Sequence, residues 1–235
     1  MAGDELGYSL SIISLVFYSI VYVPQFFVIY KSKSSTGISL WMLLLWTQAD
    51  ILSLIGTIVL YMYTNIIIIG WYHFIVGVLM IICVLYYRDK YNNELGNENS
   101  GTFTNKYKIQ VLSTVVFLCV NTVVCIILNV MITRSYDLIG EILGWITTTF
   151  YIVGRFPQMW LNYKTKSTEG LSVLMYVFTI LGNATYIAII TIDPQTMQSN
   201  MPWIVSSSVM IVLDLYIIYQ HYYYKGLGSI IFSSI

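Results

Sequence analysis

Residues 24–39 and 157–172 are near-copies at an offset of 133, and eight of their sixteen aligned positions are identical. Pro24-Gln25 opens the first copy and Pro157-Gln158 the second. The other identities are Tyr30/Tyr163, Lys31/Lys164, Lys33/Lys166, Ser34/Ser167, Gly37/Gly170 and Ser39/Ser172. Each copy lies where one long apolar run ends and the next begins. A chain that repeats such a junction builds two like units, so the fold must be an internal repeat. Proline-broken apolar helices in two matching halves are the pattern of a secondary transporter.

The residues are 57% hydrophobic and 9% charged, and the mean hydropathy is +0.75. A soluble domain carries about 25% charged residues, so the chain reads as a multi-pass membrane protein in contact with lipid. Its formal net charge of zero gives no basis for nucleic-acid binding. The first apolar run follows Asp4 and Glu5 rather than a basic stretch and lacks a small-residue cleavage site, so it reads as a retained span. Cys83, Cys119 and Cys125 all fall inside apolar segments and read as small lipid- or core-facing residues. Zinc-ligand spacing, a phosphate-binding loop and a nucleophile elbow are all missing, so no enzyme, metal or cofactor is expected.

A bilayer core takes about 20 apolar residues per helix. Seven segments meet that length, near 6–30, 38–63, 66–87, 109–132, 139–162, 171–192 and 201–224. The fold class expected is an all-α membrane protein of seven transmembrane helices, two parallel three-helix repeats joined by a linker helix. Residues 1–88 form the first repeat, 89–133 a polar linker with the fourth helix, and 134–235 the second repeat with a short tail. Nine basic residues (Lys31, Lys33, Arg88, Lys90, Lys106, Lys108, Lys164, Lys166 and Lys225) fall in loops on one side, against Arg134 on the other. By the positive-inside rule that side is cytosolic, with the N-terminus lumenal or outside and the C-terminus cytosolic.

Pro24 and Pro157 have no amide hydrogen, and each frees a carbonyl one turn back, that of Ile20 or Val153. With Gln25 and Gln158 beside them, they read as hinges at equivalent points of the two repeats. Asp50 lies near the middle of the second span, where a carboxylate marks a functional site, with Gln48 or Thr47 as neighbours able to bond it. The offset places Asn183 at the matching position. Asp214 is at similar depth in the seventh span, and Arg155 lies beside Pro157. Asp50, Asp214 and Arg155 sum to a formal charge of −1, which a proton or a cationic substrate would neutralise. Trp46, one turn before Asp50, offers a ring to a bound cation, with core packing as the alternative. His73 and His221 read as interfacial, and Gly37-Ile38-Ser39 and Gly170-Leu171-Ser172 as turn and cap. Tyr224-Lys225-Gly226-Leu227 fits a tyrosine-based signal for cytosolic sorting proteins.

Val23-Pro24-Gln25 and Phe156-Pro157-Gln158, in a repeated seven-span chain, resemble the PQ-loop family. Within it, several segments resemble the lysosomal and vacuolar cationic amino acid exporters: Ser39 to Asp50 followed by Gly56, Arg155-Phe156-Pro157-Gln158, Lys166 to Ser172, Leu181-Gly182-Asn183 and Leu213-Asp214. Cystinosin-type cystine–proton symporters are the next relatives. They share the Lys-Ser-Thr-Glu-Gly run but lack the Trp-x-x-x-Asp pattern of Trp46 and Asp50. SWEET sugar carriers share the architecture only. Two departures stand out: Ala49 precedes Asp50 where the exporters often have Gly, and Gly77 aligns where they can carry an acid. The resemblance implies transport of basic amino acids (arginine, lysine, histidine) from an acidic lysosomal or vacuolar lumen to the cytosol, with Asp50 the candidate for proton coupling. A cystine or small-solute proton symporter, and a seven-helix receptor sensing amino acids with cytosolic partners, remain open readings.

Overall fold

The computed structural model of the chain describes residues 2–59, 64–94, 112, 116, 123, 136–192 and 201–233. Of the linker and fourth helix expected over 89–133, residues 95–133 lie outside those residues, save helical Leu112, Val116 and Val123. Cys119, Cys125 and Arg134 lie outside as well.

The ordered elements among the described residues are all helical: α1 (Ala2–Ile20), α2 (Val23–Ser32), α3 (Leu40–Val59), α4 (Thr64–Glu94), α5 (Tyr136–Thr165), α6 (Val173–Ile192) and α7 (Met201–Ser233). Ser9–Ser32, Ile67–Arg88, Val173–Thr191 and Met201–Gly226 are long and apolar enough to cross a membrane, and Leu40–Gly56 is a shorter apolar helix. α7 begins at Met201 with Pro202 in its first turn, where a missing amide hydrogen leaves no bond unmade. α4 runs six residues past the expected end of its repeat, to Glu94. Arg88 holds that extension, donating from Nη2 to the carbonyls of Ser35 (3.0 Å) and Ile38 (2.9 Å).

The two prolines are built differently. The first rod breaks at Val21-Tyr22, and Pro24 sits in the opening turn of α2. The amides of Gln25 and Phe26 both turn back to the Tyr22 carbonyl, at 3.1 and 3.0 Å. Pro157 lies inside a continuous α5. Two near-identical sequences thus give one broken and one unbroken rod.

The repeats interlock. α1 packs on α6, and α3 packs on α5, so the first rod of each repeat lies against the second rod of the other. Within the repeats α3 packs on α4, and α6 on α7. These pairings exchange under the offset of 133, which gives the pseudo-twofold relation of a repeat protein. Met42, Leu43, Met80, Met175, Tyr176 and Ile217 fill the shared core. Phe27 and Tyr30, with their counterparts Trp160 and Tyr163, stay exposed on the outside of the bundle. Lipid tails are as apolar as leucine, so helices associate here through close packing and hydrogen bonds. Small residues make that packing possible. A Cβ on Gly154 would lie 2.7 Å from Trp46 Cδ1, and one on Gly182 would lie 3.0 Å from the Tyr18 ring.

Candidate functional site

Three layers of polar side chains run inward from the Pro-Gln end of the bundle. The outermost is a reciprocal clasp. Gln25 Nε2 donates to the Gly170 carbonyl (2.9 Å), and its Oε1 accepts the Ser172 amide (2.8 Å). Gln158 Nε2 donates to the Gly37 carbonyl (2.9 Å), and its Oε1 accepts the Ser39 amide (2.7 Å). Each glutamine is buried and holds the loop of the opposite repeat. The Gly-x-Ser segments, read from sequence as turn and cap, are therefore also the docking points between repeats. Ser39 does cap α3 as expected, its Oγ accepting the Met42 amide at 3.4 Å. The second half of the clasp is braced further: Gln158 also donates to Asn162 Oδ1, and Asn162 donates to Gln220 Oε1, both at 2.9 Å. Ile29 holds the position equivalent to Asn162, so the first half has no such chain.

The loops meet at Gly37. A Cβ there would lie 2.0 Å from the Glu169 carbonyl oxygen and 2.8 Å from the Leu171 nitrogen, both backbone atoms of the opposite loop. Gly37→Ala must separate the loops and loosen the clasp. Ser172 is buried, and its backbone amide, not its hydroxyl, joins the clasp. Alkylation of a cysteine placed by Ser172→Cys is expected to quicken about tenfold when Gly37→Ala is added, the scale of one net hydrogen bond. An unchanged rate would show that the loops do not seal this end.

One turn inward lies the charged layer. Arg155 and Asp214 are fully buried and bidentate: Nε lies 2.6 Å from Oδ1, and Nη2 donates to Oδ2 at 2.9 Å. The guanidinium carbon sits 3.6 Å from the centre of the Trp46 ring and 5.4 Å from that of Tyr176. The Trp46 face, considered from sequence for an incoming cation, is therefore taken by an internal one. Arg155 Nη1 and Trp46 Nε1 are buried and make no hydrogen bond to another described residue.

A further turn in, Asp50 Oδ1 accepts the Tyr151 hydroxyl at 2.6 Å, while Oδ2 is buried without a donor among the described residues. Thr47, a sequence candidate for bonding Asp50, donates to the Leu43 carbonyl instead. Gly77 covers Oδ2: a Cβ there would lie 3.5 Å from it. At the matching place Asn183 Oδ1 accepts the Tyr18 hydroxyl at 3.0 Å, and its Nδ2 donates to the Thr179 carbonyl at 2.9 Å. Tyr18 and Tyr151 are themselves 133 apart. They went unmarked in the sequence reading, although the offset that exposed the proline motifs also pairs them. The structure thus joins Asp50 to Tyr151, Asn183 to Tyr18, and Arg155 to Asp214 and Trp46. The ionic residues of the site lie on α3, α5 and α7, while the positions equivalent to Arg155, Trp46 and Asp50 carry Tyr22, Thr179 and Asn183.

Both histidines are bonded within the bundle. His73 Nε2 lies 3.2 Å from the Tyr18 carbonyl, and His221 Nδ1 lies 2.8 Å from Thr168 Oγ1. No cluster of His, Cys, Asp or Glu suited to a metal occurs among the described residues.

The profile of the PQ loop repeat matches this chain twice, over residues 6–62 and 139–198. The chain is similar to the vacuolar lysine transporter YPQ1 of Saccharomyces cerevisiae, at 25% identity over 91% of each chain. It is similar to the lysosomal amino acid transporter 1 homolog of Homo sapiens, at 26% identity over 94% of this chain and 84% of that one. A shorter match, 39% identical over 36% of this chain and 29% of its relative, is to the yeast vacuolar arginine/histidine antiporter YPQ2. In structure it is similar to a eukaryotic SWEET transporter, with a TM-score of 0.62 at 13% identity, covering 96% of this chain and all of that one. That likeness shows a SWEET-like membrane fold. The duplicated Pro-Gln motifs, each docked on the opposite repeat, and the double profile match make this chain a member of the PQ-loop family.

Proposed function

We propose that the chain is a secondary transporter of basic amino acids, working from an acidic lysosomal or vacuolar lumen to the cytosol. The observation that carries this reading is that the buried polar atoms without a hydrogen-bond partner among the described residues include two donors, Arg155 Nη1 and Trp46 Nε1, and an acceptor, Asp50 Oδ2, on the facing helices α3 and α5. Residues 46 and 50, like 151 and 155, are one helical turn apart, about 6 Å along the axis. An amino acid with a long basic side chain has complementary groups on that scale. Its α-carboxylate would take the two donors, and its cationic end would take Asp50. Asp214 neutralises Arg155, so the layers hold one net negative charge. A zwitterion with a basic side chain brings one positive charge, and the loaded site is neutral. The names of the yeast and human relatives support an amino acid substrate and a vacuolar or lysosomal membrane.

The Pro-Gln pairs serve as hinges in this reading. The clasp seals the cytosolic end, with the N-terminus lumenal and the C-terminus cytosolic. Releasing Gln25 and Gln158 from the opposite loops opens the site to that side. The coupling proton occupies Asp50 in turn with the substrate's cationic end, and no further cofactor is needed.

Uptake into proteoliposomes with a panel of competitors tests the substrate. Arginine, lysine and histidine are expected to compete for one site, and aspartate, glutamate and cystine to leave it free. Agmatine and cadaverine, which keep the cations and lack the carboxylate, should compete at least about tenfold less well, the loss of one charge-assisted hydrogen bond. Cystine uptake with no competition by basic amino acids overturns the proposal.

A further inference from the structure

The break in the first rod leaves half-buried backbone carbonyls without their helical donors, and away from water each needs another donor. In an unbroken helix the Tyr22 amide would bond the Tyr18 carbonyl, and the Val23 amide that of Ser19. α1 ends at Ile20, and those two bonds are not part of it. Two consecutive side chains of α4 bond the same two carbonyls instead. His73 Nε2 lies 3.2 Å from the Tyr18 carbonyl oxygen. A carbonyl only accepts, so Nε2 carries the hydrogen. The Tyr72 hydroxyl donates to the Ser19 carbonyl. The Ile20 carbonyl differs, because its helical donor would be Pro24, which has no amide hydrogen.

The two carbonyls braced from α4 are therefore two that the backbone is able to reclaim. Each has two alternative donors, a side chain of α4 when the rod is bent and a backbone amide when it is straight. The second repeat lacks this arrangement. Its rod is continuous through Pro157, and Val205 and Ser206 stand where the first repeat has Tyr72 and His73. Valine has no group to donate.

We propose that Tyr72 and His73 make the α1–α2 break a two-state joint, holding the Tyr18 and Ser19 carbonyls in the bent state and giving them up to the Tyr22 and Val23 amides when the rod straightens. His73 and Tyr72 are positioning residues, acting on the backbone and not on the substrate. Tyr18 links the joint to the site: its carbonyl is held by His73, and its hydroxyl is donated to Asn183. The joint's part in the cycle rests on the transport reading above, whereas its two states do not.

Hydrogen exchange on the full-length protein in nanodiscs separates the joint from simple packing damage. In Tyr72→Phe/His73→Leu the bent state loses both side-chain donors, and the straight state gains by default. Exchange of the Tyr22 and Val23 amides is then expected to slow by about tenfold or more, the scale of one or more net hydrogen bonds. Damage to a rigid kink would speed it, and a faster or unchanged rate overturns the proposal. Uptake supplies the second readout. The maximal rate should fall about tenfold with KM held within about twofold, and His73→Gln, which keeps a donor, should recover more of it than His73→Leu. Equal loss in the Gln and Leu variants, or a change confined to KM, also overturns it. If the wild type carries no basic amino acid, the transport reading fails while the exchange experiment still judges the joint.

Discussion

Asp214→Ala is expected to cost about 3–5 kcal/mol of folding stability, and removing Arg155 as well should return most of it. Both side chains are fully buried and form a bidentate pair. Truncating one partner leaves the other charge in the interior without compensation. The Trp46 ring, 3.6 Å from the guanidinium carbon, offsets only a part: a desolvated cation–π contact contributes about 2 kcal/mol. Replacing both by apolar residues of similar volume, Arg155→Met with Asp214→Leu, removes the desolvation cost together with the attraction, and such exchanges are often neutral or stabilising. Thermal unfolding of the purified protein in detergent reads this directly. The single variants should lose a large part of their thermal stability, and the double variant should stand near the wild type. Uptake should follow the opposite rule, because the double variant keeps the charge of Asp50 but has no Arg155 donor for the substrate's carboxylate. It should be folded and inactive. A double variant as unstable as either single one would show that volume and packing, not charge, hold this layer. A double variant that transports at the wild-type rate would remove Arg155 from the substrate site.

The repeat was legible in sequence because symmetry leaves a copy to compare against. The offset of 133 that aligns Pro24 with Pro157 also aligns Asp50 with Asn183 and Tyr18 with Tyr151, and the structure bonds both tyrosines across the repeats. The roles of Gln25 and Gln158 were half legible. Their position marks a special point on the rod, but their partners lie 145 to 147 and 119 to 121 residues away, and a local motif carries no record of such contacts. The difference between the two prolines was not legible. Pro24 and Pro157 share the Pro-Gln motif but differ beside it, at Tyr22 against Arg155 and Ile29 against Asn162, and on α4 Tyr72 and His73 bond the carbonyls of the broken rod where the second repeat has Val205 and Ser206. His73 read as interfacial because hydropathy places a residue in depth without showing which backbone groups its neighbours have exposed. The pairing of Arg155 with Asp214 was accessible by charge counting, since an unpaired buried charge is costly. That Trp46 would be filled by Arg155 rather than left for a ligand required the Gly154 contact that brings the rods together.

Asp50→Asn should fold normally and lose both the pH response and the preference for basic substrates. Normal folding is expected from the repeat itself. The amide of Asn183 already occupies the equivalent place, accepting from Tyr18 and donating to the carbonyl of Thr179, four residues earlier. In Asp50→Asn the amide oxygen has Tyr151 as its donor, and the amide nitrogen has the Trp46 carbonyl four residues earlier, so stability should hold within about 1 kcal/mol. Function should not hold. The carboxylate supplies the net negative charge of the three layers, and its Oδ2 has no donor among the described residues. Without that charge a basic side chain enters the site uncompensated, with a desolvation penalty of several kcal/mol, and arginine or lysine affinity should fall by about a hundredfold or more. Proton coupling should go with it. In the proposed cycle the proton and the cationic end of the substrate occupy Asp50 in turn, so wild-type uptake depends on the pH at the lumenal face. The variant mimics the protonated form at every pH, and its uptake should be slow and flat across the same range. Tyr151→Phe is the companion test. It leaves Asp50 charged but removes the hydroxyl bonded at 2.6 Å, a hydrogen bond to a charged group that contributes about 1.5–3 kcal/mol. Basic substrates should still be preferred in Tyr151→Phe, with the pH profile displaced towards higher pH, because the ionised form has lost its donor. Uptake by Asp50→Asn that still responds to pH would rule out Asp50 as the coupling group and leave Asp214, paired with Arg155, as the next carboxylate to test.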